Sequence, residues 1–256
     1  MKLPLKLTII LPILTFTFYS RPKSRGIPSN EFTKHVYETV SDIPPPQGYS
    51  RMPGEPGSFS SWLSQIKLKH DNRVHLYNGS LKRNQTAQFA VLDISVGDKD
   101  LQQCADALMR LRAEWLYSRK RYQEIIFKDN AGKEYVYRGG LSRDAFDKYL
   151  ELVFQKCGTL SLSHQLHRKS DLENLLPGDV LIKGGSPGHA VIIIDMAVNH
   201  EGKKLYLLAQ SYMPAQDIHI LINPQYENIS PWYNFNDGSI IETPEWTFTI
   251  DQFSTW

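Results

Sequence analysis

Nine residues, HAVIIIDMA at 189–197, constrain this chain more than any other stretch, and a glycine-rich turn, GGSPG, leads into them. Ala190 to Ile194 are apolar on both parities, whereas a strand with one wet face would alternate. The strand must therefore be covered on both sides. His189 is the last polar side chain before this core. It is either a base at the mouth of the strand or a turn residue that hydrogen-bonds a loop carbonyl. The glycines beside it leave room for a ligand.

The neighbouring segments supply a sheet. DLENLLPGDVLIKGG precedes the apolar strand, and KLYLLAQSYM and IHILIN follow it, giving four candidate strands in succession. Upstream, 89–96 (FAVLDISV) reads as a strand and GDKDLQQCADALMRLRAEWLYSRKRY as the longest helix. Asp98 can cap that helix, and Leu101, Ala105, Leu108, Leu111, Trp115 and Leu116 form its apolar stripe. A hairpin turning at Asp129 to Gly132 leads to a second helix, which begins at Ser142 and stops at Cys157 beside Gly158. Helices first and antiparallel strands second predict an α+β fold. The aromatic tail, PWYNFNDGSIIETPEWTFTIDQF, is expected to pack over the sheet.

At 256 residues, with 41% hydrophobic and 11% aromatic content, the chain can bury a substantial core. Its net charge of +2, with both signs interspersed, offers no basic face for nucleic acid. Residues 1–20 place Lys2 and Lys6 ahead of an apolar run from Leu7 to Tyr19. That run is short for a membrane span and fits a signal peptide, so the protein is expected to be exported, periplasmic or extracellular, with no integral membrane span beyond this segment. Residues 21–57 form a Pro/Gly-rich linker or arm, and residues 58–256 are expected to be a single α+β domain. Two cysteines, Cys104 and Cys157, are too few for a disulfide framework, although one bridge between them stays open. His164 and His167 have a metal-like spacing but no carboxylate or cysteine at ligand distance in sequence. No metal and no cofactor are expected.

A thiol nucleophile needs a stabilised thiolate and a base within reach; a helix start supplies the first and a histidine on an adjacent strand the second. Cys104 and His189 are those two parts. If the hairpin after His189 turns at Asn199 to Gly202, His189 lies opposite Tyr212 and Gln210 projects beside it. A shift of one residue would put Ser211 there instead. Asp195 is six residues along the same strand, roughly 20 Å away, and cannot orient His189. Gln210 could fix the imidazole tautomer. Gln102 and Gln103, just before Cys104, could add a donor to an oxyanion hole, with Ser211 a further substrate contact.

Three stretches carry a resemblance: QFAVLDISVGDKDLQQCADALMRLRAEWLY, PGDVLIKGGSPGHAVIIIDMA and LLAQSYMPAQDIHILINP. They resemble an exported bacterial family, domain of unknown function 4846, from about residue 60 to the end. More distantly, PGDVLIKGGSPGHAVIIID followed by YLLAQS is similar to bacterial papain-like cell-wall peptidases and amidases of the NlpC type. In that superfamily a cysteine begins a helix, a histidine opens a strand after PGD, and a polar residue lies on the next strand. The resemblance implies a papain-like fold with Cys104, His189 and Gln210 as its catalytic residues. It also implies a cysteine hydrolase acting on an amide or ester, with cell-envelope peptide as substrate. The superfamily's Asp-Cys-Ser-Gly is replaced here by Gln103, Cys104, Ala105 and Asp106. The second reading is a non-catalytic envelope protein on the same scaffold, binding glycan or peptide through Trp232, Tyr233 and Trp246.

Overall fold

The computed structural model describes residues 37–236 and 238–256. The segment read as a signal peptide, 1–20, lies outside these residues. In chain order the elements begin with Tyr49–Arg51 (β1), Phe59–Ser64 (α1), Gln88–Val91 (β2) and Cys104–Ser118 (α2). A hairpin, Ile126–Lys128 (β3) with Glu134–Val136 (β4), leads to Arg143–Lys156 (α3), Thr159–Gln165 (α4) and His167–Arg168 (β5). Then come Val180–Lys183 (β6), His189–Asn199 (β7), Lys204–Gln210 (β8) and His219–Leu221 (β9). Trp232–Tyr233 (β10), the hairpin Ile240–Glu242 (β11) and Thr247–Thr249 (β12), and Phe253–Thr255 (β13) complete it.

Nine of these strands form one antiparallel sheet in the order β2, β9, β8, β7, β6, β13, β5, with β1 pairing on β7 and β10 on β8. The protein is thus a mixed helix and sheet fold built on a large antiparallel sheet. Both faces of β7 are covered, as its composition demands. Ala190, Ile192 and Ile194 pack with Leu108 and Leu111 of α2 on one face. Val191, Ile193 and Met196 pack with Tyr233, Ile241 and Phe248 of the tail on the other. Burying each large aliphatic side chain contributes about 1.5 to 3 kcal/mol, so the tail is as much a part of the core as the helices are. Trp232 and Tyr233, which a binding surface would need exposed, are 1% exposed and belong to that core.

A strand apolar on both faces has no alternation with which to fix its register. Here the turn and a bulge do so. At the turn, Gly202 N–H donates to the Asn199 carbonyl, and Val198 pairs with Lys204. The register then shifts between Ile193 and Asp195, so that Ile192 pairs with Ala209. Ile194 is the extra residue. Continuing the second register by three places puts His189 opposite Tyr212.

The longest helix starts later than its sequence suggests. Asp98 does not cap it; Cys104 is its first residue, after Gln103. The intervening residues are engaged elsewhere. The Asp100 carboxylate accepts from Ala215 N–H at 2.7 Å, and the Gln102 carbonyls, backbone and side chain, accept from Ser211 Oγ and Arg110. These tertiary bonds hold the approach out of helical form and set Cys104 at the helix start. The helix begins with a backbone N–H, that of Gln103, bonded to the Asp106 carboxylate at 3.0 Å.

Residues 37–57, within the stretch expected as linker or arm, contribute β1 to the sheet and Val40 and Ile43 to the core. Arg51 on β1 donates to the Asp195 carboxylate at 2.6 Å, which gives that buried acid a partner far from His189. Among the described residues no helix is long and apolar enough to cross a membrane.

Candidate active site

His189 opens β7 with 1% of its surface exposed. Its Nε2 lies 2.8 Å from Gln210 Oε1, the last residue of β8. The imidazole is walled by the rings of Tyr212, Trp246 and Phe248, with centroids 4.8, 5.4 and 5.8 Å away. Burial pulls its pKa from the usual 6.5 down to about 4, against the hydrogen bond to Gln210 Oε1 and the Glu245 charge. The ring is therefore neutral at rest. Among the described residues no hydrogen bond is made by its Nδ1, which is left with a free lone pair when Nε2 carries the proton.

Cys104 is 6% exposed at the first position of α2. Burial, followed by the Asp106 charge, pushes its thiol up to about 11; the backbone N–H groups of Ala105, Ala190 and Cys104 itself pull the other way. Cys104 lines a cleft together with Gly188, the residue before His189. The structure thus brings His189 and Gln210 into direct contact and sets Cys104 against the same strand end. No hydrogen bond joins Cys104 to His189. Cys104 and Cys157 are both free thiols, so the bridge left open by their count is not formed.

Beside Cys104 lies a cleft of about 290 Å³, walled by Asp106, Cys157, Thr159, the turn 185–188 and Met213. A second recess, of about 460 Å³, lies among Leu76, Leu81, Lys82, Tyr212, Met213 and Glu245. Met213, 54% exposed, stands in the wall of both. Gly188 leaves no room for a side chain at this turn. A Cβ there would fall 2.4 Å from the Gly185 carbonyl, 2.5 Å from Thr159 Oγ1 and 2.7 Å from the Lys183 carbonyl. Gly188→Ala should lower stability by about 3 kcal/mol, read as a shift of the urea midpoint. An unchanged midpoint would show that the turn can yield.

Ser211 and Gln103 hold loops together. Ser211 Oγ sits 2.9 Å from the Gln216 carbonyl and 3.2 Å from that of Gln102; Gln103 Nε2 donates to Asp100 at 3.3 Å. Three residues that sequence reasoning did not single out complete the surroundings of Gln210: Glu245, Lys82 and His219. Lys82 and Glu245 are 163 positions apart and share no motif. His219 lies within the IHILIN strand and faces Gln210 across β8 and β9, where cross-strand register could have pointed to it. Among the described residues no group of three or more His, Cys, Asp or Glu is arranged to hold a metal ion.

An α+β scaffold with a large antiparallel sheet, a cysteine at a helix start and an imidazole–amide pair at a strand mouth is the class of protein these observations define. The chain belongs to the family described as domain of unknown function 4846, whose profile matches residues 40–139 and 138–255. No curated protein and no solved structure matches it.

Proposed function

We propose that the protein is an exported cysteine hydrolase of papain-like, NlpC-type fold, cleaving an amide or ester bond in a cell-envelope peptide in the periplasm or outside the cell. The observation that carries this reading is the 2.8 Å contact between His189 Nε2 and Gln210 Oε1, with Cys104 at the first position of α2 lining a cleft beside Gly188. It supports an oriented base next to a nucleophile at a helix start. With Nε2–H donating to Gln210, the Cys104 sulfur attacks the substrate carbonyl carbon while its proton passes to His189 Nδ1. Backbone N–H groups at the start of α2 receive the oxyanion. The imidazolium then gives its proton to the departing amine or alcohol, and water opens the thioester by the same route. Two recesses meeting at Met213 suit an extended substrate lying across the site.

With the thiol near 11 and the imidazole near 4, the free site rests as a neutral pair. At pH 7 a thiol of that pKa is ionised to only about one part in ten thousand, so alkylation reports directly on the base. Iodoacetamide is expected to modify Cys104 faster than Cys157, whose thiol is pushed by burial to about 12. His189→Phe should slow modification of Cys104 tenfold or more and leave Cys157 unaffected. Equal rates in parent and variant would remove His189 as its base. An unreactive Cys104 would favour the second reading, a non-catalytic envelope protein on this scaffold, for which burial of both groups is the supporting observation.

A further inference from the structure

The side-chain amide of Gln210 has two ends, and residues beyond it decide which one faces His189. Gln210 Nε2 lies 2.8 Å from Glu245 Oε2. A carboxylate oxygen only accepts, so the group facing Glu245 is the NH2 and the group facing His189 is the carbonyl. His219 agrees with this assignment. Its Nδ1 sits 2.9 Å from the Asp217 carbonyl, another pure acceptor, so Nδ1 carries the proton and Nε2 can accept from Gln210 Nε2 at 3.4 Å. Both N–H bonds of the Gln210 amide then have an acceptor.

Glu245 is held in turn. Lys82 Nζ, on a residue 6% exposed, contacts Oε2 at 2.5 Å, and Asn84 Nδ2 contacts Oε1 at 3.2 Å. Lys82 Nζ and Asn84 Nδ2 are both donors, so both oxygens of Glu245 are held as acceptors. Every orientation in the chain from Lys82 through Glu245 and Gln210 to His189 follows from those donors. At its end the imidazole meets a carbonyl oxygen, so the ring proton sits on Nε2 and the lone pair on Nδ1.

We propose that Glu245, clamped by Lys82, is a positioning residue that acts through Gln210 to fix the nitrogen on which His189 carries its proton, presenting Nδ1 as the basic atom. The role of Nδ1 as a base rests on the hydrolase reading above; the tautomer assignment does not. The test is the nitrogen-15 spectrum of the histidine rings in the full, uniformly labelled chain, without substrate. His189 is expected as the Nε2–H tautomer, and an Nδ1–H tautomer in the parent protein overturns the proposal outright. Glu245→Met fills the space without an acceptor and should release the amide, giving roughly a tenth or more of the Nδ1–H form. Glu245→Gln, which still offers Lys82 and Gln210 a carbonyl, should restore the single Nε2–H tautomer. A folded Glu245→Met protein that keeps only Nε2–H removes Glu245 from the chain of control. If Glu245→Met does not fold, the parent spectrum still decides. Alkylation of Cys104 on the same samples separates the two ideas, because an inert thiol sinks the hydrolase reading and leaves the tautomer assignment standing.

Discussion

Asp106→Asn should match the parent protein in stability near pH 4 and exceed it by about 4 kcal/mol above pH 8. Burial raises the Asp106 carboxyl from 3.8 to about 8, against the backbone N–H of Gln103. Its Oδ1 has no hydrogen-bond partner. Between those two pH values the folded protein holds a proton that the unfolded chain has released. Stability therefore falls as pH rises across that window and levels off above it. A shift of 8 − 3.8, about 4 units at roughly 1.4 kcal/mol each, bounds the loss near 6 kcal/mol. Asparagine keeps a carbonyl for Gln103 N–H and has no proton to lose. Urea titrations of both proteins at a series of pH values would test this, since the difference between variant and parent isolates Asp106 from every other group. Parallel profiles would mean that the carboxyl is not buried as a neutral acid. Asp106 is also the second cause of the raised Cys104 thiol, so the same substitution should ease ionisation at the candidate nucleophile.

His219→Gln is expected to blunt acid denaturation. His219 is fully buried, and burial lowers its pKa from 6.5 to about 3. Here the sign reverses: between those values the unfolded chain takes up a proton that the folded protein refuses, so stability rises with pH and is lost on acidification. From pH 6.5 to pH 4 one such group removes about 3 kcal/mol. Glutamine retains an acceptor for the Gln210 amide, so the variant should lose about 3 kcal/mol less than the parent over that interval, by urea midpoints at both ends. His189, lowered to about 4 by the same burial, titrates in the same direction and remains in the variant as an internal reference. Equal acid losses in variant and parent would show that His219 accepts a proton while folded.

The layers of this protein were legible because they follow from side-chain periodicity. An apolar strand on both parities required two covers, and the helix stripe and the aromatic tail are those covers. The start of α2 was not legible. Local capping logic favours Asp98, but the competing partners Ala215 and Ser211 lie more than a hundred residues away, and no local rule contains them. Turn placement and strand parity led to His189 beside Gln210, but the register at the turn, as in Val198 with Lys204, would set His189 against Met213. It is the bulge at Ile194, which neither rule contains, that brings Gln210 to it. The residues behind Gln210 were not legible, because Lys82 and Glu245 come from loops at opposite ends of the sequence, where neither period nor motif marks a charge pair.

The bulge at Ile194 gives the sheet a further property. At the turn the residue numbers of paired positions sum to 402, as in Val198 with Lys204; beyond the bulge they sum to 401, as in Ile192 with Ala209. Were the first sum kept to the strand mouth, His189 would face Met213, with Ser211 at its side and Gln210 turned to the opposite face. The bulge selects an amide instead of a hydroxyl as the histidine's neighbour, because Ile194 steps out of the ladder and the residues before it keep the partners they would have if it were absent. The chemistry at this strand end is therefore open to change without altering any residue of the site, by drawing Ile194 into the ladder, whereas deleting Ile194 would leave His189 opposite Tyr212. What the strand mouth depends on is that Ile194 stays unpaired.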